Sequence, residues 1–187
     1  MSVNERLTKL IEIAILAAIS YLLTFLAVPI LPIAPYLKLD FGVLPILIGT
    51  VILGIGGGIL TAGLSTLLRL IIAGFSPPEL LGSFVWLVAS ITMLLIVSCL
   101  INWLHRRPTW LRKIVLILTM VCGLTFTMVI ANWLTIPLYF RLVGLTFHFS
   151  IAKLIWLTVV PFNLIKGLII SFAFLFLDHR FRRSKFY

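Results

Sequence analysis

Acidic side chains are scarce in this sequence, whose 187 residues include 5 aspartates and glutamates against 15 lysines and arginines. Acid–base chemistry needs a positioned pair of titratable groups, and nucleophilic chemistry needs a nucleophile beside a base. Only Asp40 and Glu79 fall where a cavity is expected. The sequence also has no phosphate-binding glycine loop, no Gly-x-Ser-x-Gly elbow and no His-Glu-x-x-His motif. These gaps favour a protein that binds or moves a ligand over an enzyme.

Cysteine and histidine are also sparse, with 2 and 3 copies. Cys99 and Cys122 fall inside predicted membrane spans, where we expect small buried apolar side chains rather than a disulfide or metal site. The histidines are scattered near span ends without the spacing of a metal site. We therefore expect neither a bound metal ion nor a cofactor.

Apolar side chains are in excess and make up 62% of the chain, against about 45–50% in typical soluble proteins. A soluble domain of this length could not cover so much apolar surface, so the composition predicts an integral membrane protein. Residues 1–12 carry both charge signs, and no small-residue cleavage site follows the first apolar run. We therefore expect the first apolar run to remain as a membrane span rather than to be removed as a signal peptide.

Continuous apolar runs near the ~20 residues that cross a bilayer predict an all-α, single-domain bundle of six membrane helices. Prolines 29, 32 and 35 predict an ordered, non-helical outer loop that ends at Asp40. Glycines 54, 56, 57 and 58 predict a tight inner turn, and residues 138–153 are predicted to form the last outer loop. The approximate predicted spans are 7–28, 41–53, 57–72, 79–103, 114–137 and 154–177.

Most of the basic residues fall into three clusters, at the start of the chain, between the fourth and fifth spans, and at the end. With six spans, all three clusters lie on one side of the membrane, and the positive-inside rule makes that side cytoplasmic. The basic clusters that produce the net charge of +10 therefore mark the cytoplasmic side, and both termini are expected there. Nucleic-acid binding is not expected. The clusters are Arg6 and Lys9; Arg106, Arg107, Arg112 and Lys113; and Arg180, Arg182, Arg183 and Lys185.

Lys166 lies near the middle of the last apolar run. A charged residue there costs about 2.5–3.5 kcal/mol on insertion scales and is normally retained for a partner or a ligand. Asn163 precedes it by three residues, so both side chains project from nearly the same helix face. The two residues predict a polar ligand site inside the membrane. The alternative is that Glu79 or Asp40 neutralises Lys166 without any ligand.

Two further polar residues are expected in the outer half of the bundle. Glu79 opens the fourth span, where a carboxylate can contact a ligand or simply complement the positive end of the helix dipole. Asn132 lies near the outer end of the fifth span, where it can contact a ligand or form an interhelical hydrogen bond. The five tryptophans lie mainly near span ends, as interfacial anchors do: Trp86, Trp103, Trp110, Trp133 and Trp156.

In the first span, Ala14 and Ala18 share one helix face. They form a small-xxx-small pattern, which lets a second helix approach closely. The pattern is compatible with packing inside the bundle and with docking of a partner.

Four segments resemble the substrate-binding S components of energy-coupling factor (ECF) vitamin transporters, and especially the riboflavin-specific members. The most specific is Val-Pro-Phe-Asn-Leu-Ile-Lys-Gly at residues 160–167. The resemblance implies a six-helix subunit in the bacterial plasma membrane that captures riboflavin from outside. It also implies five ligand-site residues, with Asp40 near the entrance and four others that hydrogen-bond the flavin ring or ribityl chain: Glu79, Asn132, Asn163 and Lys166. The matching segments are residues 36–41, 78–79, 132 with 137–139, and 160–167.

The resemblance also implies partners. Ala14 and Ala18 would dock on a transmembrane coupling subunit bound to two ATPase subunits, which would hydrolyse ATP. The chain departs from the riboflavin-specific members at Ser83, where they commonly have asparagine, at residues 42–43 and at residues 69–70. Two alternatives stay open: an S component for another vitamin or a flavin nucleotide, and a stand-alone secondary carrier. The absence of a visible internal repeat disfavours the carrier.

Overall fold

The computed structural model of the chain describes residues 3–34, 37–103, 108–144 and 150–184. In these ranges, 5 helices are long and apolar enough to cross a membrane, which confirms the predicted all-α membrane fold. The long helices are α1 (Val3–Thr24), α2 (Val43–Ala73), α3 (Pro77–Trp103), α4 (Thr109–Val143) and α6 (Val160–Ser184). A short helix, α5 (Ile151–Leu154), and a π-helical turn (Ile155–Val159) lead directly into α6.

The described residues between α1 and α2, 25–34 and 37–42, are not helical, as the prolines predicted, and they include two short strands. β1 (Val28–Pro29) pairs antiparallel with β2 (Lys38–Leu39), with Val28 opposite Leu39. This hairpin was not predicted, because a two-residue ladder leaves no periodic pattern in the sequence. It leads the chain directly to Asp40. Residues 35 and 36 lie outside the described residues, and residue 36 is the first of the segment 36–41 that carries the resemblance.

The third predicted span, 57–72, and all but the first two residues of the second, 41–53, lie within α2, whose direction reverses at Gly54. Gly54 has a φ of 82°, which glycine adopts without the steric penalty of a side chain. A Cβ built at Gly58 would lie 3.1 Å from Thr50 Cβ, although eight residues of continuous helix would separate them by about 12 Å. The two arms of α2 therefore lie against each other. The predicted four-glycine turn is in fact one residue long, and the six-span count stays a prediction.

The helices pack mainly in chain order, with α2 between α1 and α3, and α4 between α3 and α6. α2 also contacts α6 and so brings the segment before α2 towards the last helix. A Cβ built at Gly167 would lie 3.0 Å from Val121 Cα, so α4 and α6 approach closely there. The largest fully buried apolar side chains form the centre of the bundle: Phe174, Ile46, Leu47, Met93, Leu94, Met120 and Leu124.

Helix α4 is longer than its predicted span and includes residues 138–143, which were wrongly predicted to be a loop. Pro137 lies inside α4, since a proline removes only one backbone hydrogen bond and neighbouring groups in a membrane bundle can compensate for it. α4 ends at Gly144, which has a φ of 71° and whose N–H bonds the Arg141 and Phe140 carbonyls. The predicted outer loop is therefore shorter, and residues 145–149 of it lie outside the described ranges.

The two cysteines do not lie in the core. Cys99 and Cys122 are free and exposed at the bundle surface, so the prediction that they are buried was wrong. A thiol is small and weakly polar, and it is therefore equally compatible with the lipid-facing side of α3 and α4. A membrane helix is apolar on both its inner and outer faces, so the sequence pattern did not distinguish the two positions.

Candidate ligand site

The candidate site is built around an ion pair between Lys166 on α6 and Asp40 in the segment before α2. Lys166 Nζ lies 2.9 Å from Asp40 Oδ2, and the two side chains are 10% and 8% exposed. Of the two carboxylates considered as partners for Lys166, Asp40 is the one in contact. Breaking a buried pair by removing one partner typically costs about 3–5 kcal/mol, so the contact fixes the position of the segment that follows the hairpin.

The second carboxylate oxygen of Asp40 is also hydrogen-bonded. Trp86 Nε1 and the Gly42 N–H both donate to Asp40 Oδ1, each at 3.1 Å. Burial raises the pKa of the Asp40 carboxyl. The charge of Lys166 and the hydrogen bonds from Lys166, Trp86 and Gly42 lower it, and together they hold the pKa below its ordinary value of 3.8. Asp40 is therefore a carboxylate with both oxygens hydrogen-bonded, and it joins three parts of the fold.

Trp86 was predicted to be an interfacial anchor, and that prediction was wrong. It is only 8% exposed and belongs to the site, whereas the other four tryptophans are 50–72% exposed. Trp86 follows Glu79 by seven residues, which places both on one face of α3 two turns apart. That spacing was the one signal in the sequence that could have placed Trp86 in the ligand site.

Lys166 and its neighbours enter the site through an irregular helix start. The N–H of Val160 bonds the carbonyl of Ile155, five residues earlier, and such π-turns occur frequently at functional sites. In the first turns of α6, Phe162, Asn163 and Lys166 are buried at 4%, 3% and 8% exposure. Lys166 Nζ lies 6.0 Å from the centroid of the Phe162 ring, at the outer limit of a cation–π contact. Asn163 and Lys166 thus share an inward face, as predicted.

Asn132 and Asn163 lie on two helices that pack against each other, α4 and α6. Both are buried, and each donates its Nδ2 to the carbonyl four residues earlier, Met128 or Val159, at 2.8 Å. The hydrogen bond of Asn132 is therefore within α4 and not the interhelical one considered from the sequence. An amide retains a second N–H and a carbonyl oxygen after such a bond, so both residues keep groups that can bind a ligand.

Glu79 occupies the first turn of α3, as predicted, and is partly exposed. In the portion of the chain that the structure describes, it makes no ion pair with Lys166. Its position suits either role inferred from the sequence, since a carboxylate at this end of a helix complements the dipole. Glu79 and Trp86 place α3 along one side of the site.

The small residues of α1 lie on the surface of the bundle. Ala14 and Ala18 are exposed, whereas Ala17 between them is fully buried. Ile11 and Ile15 are also about half exposed, at 50% and 53%. In this chain, the small-xxx-small pattern is therefore on the outer surface of the bundle rather than in its packing.

Three comparisons with known proteins agree with one another. Residues 8–177 match the family model described as "ECF transporter, substrate-specific component". The chain is 35% identical to the riboflavin transporter RibU of Leuconostoc mesenteroides over 88% of this chain and 86% of that protein. It is also 35% identical to RibU of Streptococcus thermophilus, over 89% of this chain and 79% of that protein.

The fold gives the same result as the sequence comparisons. The solved S component of a bacterial ECF transporter superposes with a TM-score of 0.77 and 29% identity, covering 97% of this chain and 99% of that one. The family match covers most of the chain and includes every candidate site residue. The chain therefore belongs to the substrate-specific components of ECF transporters.

Proposed function

We propose that this chain is the riboflavin-binding membrane subunit of an ATP-driven ECF importer. The family consists of transporter components rather than enzymes, and the relatives that cover most of the chain are riboflavin transporters. The observation that carries the proposal is the 35% identity to a riboflavin transporter over 88% of this chain. The buried Lys166–Asp40 pair with Asn163 beside it supports the proposal, because ionisable residues inside a membrane bundle typically mark substrate pathways or ligand sites. Asp40 neutralises Lys166 in this structure, as the alternative considered from the sequence required, so the pair alone does not distinguish the two interpretations.

The chemistry of the five proposed ligand residues matches a flavin. The Lys166 ammonium has three N–H donors and uses one for Asp40, so two are available to ring carbonyl oxygens. The amides of Asn132 and Asn163 can both donate and accept, and the Glu79 carboxylate accepts hydrogen bonds from hydroxyl or ring N–H groups. A few placed polar groups in an apolar pocket fix the orientation of a flat aromatic ligand.

We also propose six membrane spans with both termini in the cytoplasm. The reversal at Gly54 supports counting the two arms of α2 separately. With that count, Asp40 and three helix ends are on the outer side. The helix ends are the start of α3, which carries Glu79, the end of α4 near Asn132, and the start of α6 before Lys166. The predicted basic clusters then lie on the cytoplasmic side, as the positive-inside rule requires.

Transport requires partners that supply energy, and we propose a transmembrane coupling subunit with two ATPase subunits. The exposure of Ala14 and Ala18 on α1 supports a docking role for this face, because small residues let a partner helix approach closely. Docking would then use an exposed face of the bundle, whereas capture of the vitamin would use mainly buried residues.

Riboflavin titration of the purified, ligand-free protein tests the proposal, with binding followed by quenching of flavin fluorescence. We expect saturable binding by the wild type and loss of binding in Lys166→Ala and Asn132→Ala. Lys153→Ala, which removes an exposed lysine at the start of the same helical segment, is the matched control and should bind normally. A folded wild-type protein that ignores riboflavin would contradict the assigned ligand, and normal binding by both site variants would contradict the assigned residues.

A further inference from the structure

Ser83 on α3 has a buried hydroxyl without a hydrogen-bond partner. The residue is 1% exposed, and across the four described ranges its Oγ is the one buried side-chain polar atom that lacks a partner. An unsatisfied buried hydroxyl lowers stability, because it has lost its bonds to water without gaining others. Such an exception in an otherwise satisfied interior calls for a physical explanation.

The other hydroxyls of α3 show that a partner is available within the helix. Ser90 Oγ donates to the Trp86 carbonyl at 2.9 Å, and Thr92 Oγ1 donates to the Val88 carbonyl at 2.8 Å. The same bond to the carbonyl four residues earlier recurs on other helices, for example at Thr135 and Ser171. Ser83 could bond the Glu79 carbonyl in this way and does not. Its hydroxyl therefore lacks the bond to the preceding turn that its neighbours on α3 make.

The position of Ser83 relates this hydroxyl to the ligand site. It follows Glu79 by four residues and precedes Trp86 by three, so all three lie on one face of α3. Trp86 donates to Asp40, which pairs with Lys166. Ser83 thus lies on α3 between Glu79, at the start of the helix, and Trp86, which contacts the Asp40–Lys166 pair.

We propose that Ser83 Oγ hydrogen-bonds a polar atom of the bound flavin and contributes to ligand specificity. The inference rests on the proposed function, since it requires a ligand between Glu79 and Trp86. In the ligand-free protein the hydroxyl has no partner, and binding supplies one. Ligands without a polar atom at this point leave the hydroxyl unsatisfied and bind more weakly.

Ser83→Ala should change free-state stability and ligand affinity in opposite directions. Removal of an unsatisfied hydroxyl should leave the thermal unfolding midpoint of the ligand-free protein unchanged or raise it. Riboflavin affinity should fall about 3- to 10-fold, as expected for one lost hydrogen bond. Ser90→Ala is the control on the same helix. Its hydroxyl already bonds the backbone, so riboflavin affinity should not change.

Two results would overturn the inference. Wild-type riboflavin affinity in Ser83→Ala would exclude a contact with the ligand. A lower unfolding midpoint of ligand-free Ser83→Ala would show that the hydroxyl has a structural partner in the free protein. Both results are distinct from failure of the proposed function, in which the wild-type protein itself does not bind riboflavin.

Discussion

Ser20 Oγ on α1 donates a 2.6 Å hydrogen bond to the carbonyl of Gly42, two residues after Asp40. The Gly42 N–H in turn donates to Asp40 Oδ1, and Ser20 Oγ lies 2.9 Å from Ser65 Oγ on the second arm of α2. Gly42 is therefore bonded on both sides and connects α1 and α2 to the Asp40–Lys166 pair. The carboxylate that faces the candidate site is positioned by hydrogen bonds as well as by charge.

Gly42→Ala should destabilise the protein by about 1–3 kcal/mol, the usual cost of overpacking. A Cβ at this position would lie 2.8 Å from the Ser20 carbonyl oxygen and 3.1 Å from Asp40 Oδ1. The backbone must therefore shift, and Asp40 shifts with it, so riboflavin binding should also weaken. Thermal unfolding in detergent and flavin titration measure the two effects.

Gly63→Ala is the matched control for that substitution. A Cβ at Gly63 would meet nothing within 4 Å, and alanine is the better helix former. We expect unchanged or raised stability and unchanged binding. Equal behaviour of the two variants would show that the close contacts of Gly42 do not constrain the site.

Asp40→Asn should destabilise the protein strongly, by about 3–5 kcal/mol, because it leaves the Lys166 charge buried and unpaired. A double variant, Asp40→Asn with Lys166→Met, removes both charges and should recover most of that stability. Unfolding free energies of the wild type, the two single variants and the double variant give the coupling energy. Additive effects of the two substitutions would mean that the pair does not contribute as a unit.

The contribution of Asp40 to stability should be constant near neutral pH and disappear in acid. The pKa of Asp40 is lowered in the folded protein, so as the pH falls the unfolded state takes up the proton first. Stabilisation is therefore complete above the unfolded pKa of about 3.9 and is lost as the pH falls through the lower folded pKa. Unfolding midpoints of wild type and Asp40→Asn, compared from pH 8 to pH 3, should converge only below about pH 4. Convergence already at pH 6 would contradict the assigned direction of the shift.

Ala14→Leu and Ala18→Leu should block riboflavin uptake by cells while riboflavin binding by the purified subunit is preserved. Each adds a branched side chain to an exposed face of α1, where it would keep a partner helix at a distance. Ile15→Leu, a volume-conserving change at an exposed neighbour, should leave both uptake and binding intact. Normal uptake by both alanine variants would argue against docking through this face.

Two residues of the candidate site, Lys166 and Asn163, could be proposed from the sequence alone, because a lysine in an apolar run is conspicuous. The ligand roles of the other three came from the resemblance and stay predictions: Asp40, Glu79 and Asn132. The pairing of Lys166 with Asp40 was one of two open alternatives, since the residues are 126 positions apart and no local pattern relates them. Trp86 was missed because tryptophan is equally suited to a membrane interface and to a buried hydrogen bond.

Two features of the fold were predicted incorrectly for reasons that apply to membrane helices in general. Pro137 was taken as a helix end, as it would be in water, whereas α4 continues past it to Val143. The turn at residues 54–58 was expected to use four glycines, whereas only Gly54 leaves the helical conformation. Gly58 instead allows the two arms of α2 to approach at Thr50.

In the proposed topology, the unequal arms of α2 determine how far the candidate site lies below the outer rim of the bundle. From the reversal at Gly54, the arm at residues 43–53 rises about 16 Å and the arm at residues 55–73 about 28 Å, at 1.5 Å per residue. Val43, at the end of the shorter arm, is therefore roughly 12 Å nearer the reversal than Ala73, at the end of the longer arm. Asp40 precedes the shorter arm and contacts Lys166 in α6, so under the proposed function the length of this arm sets the depth at which a captured molecule rests.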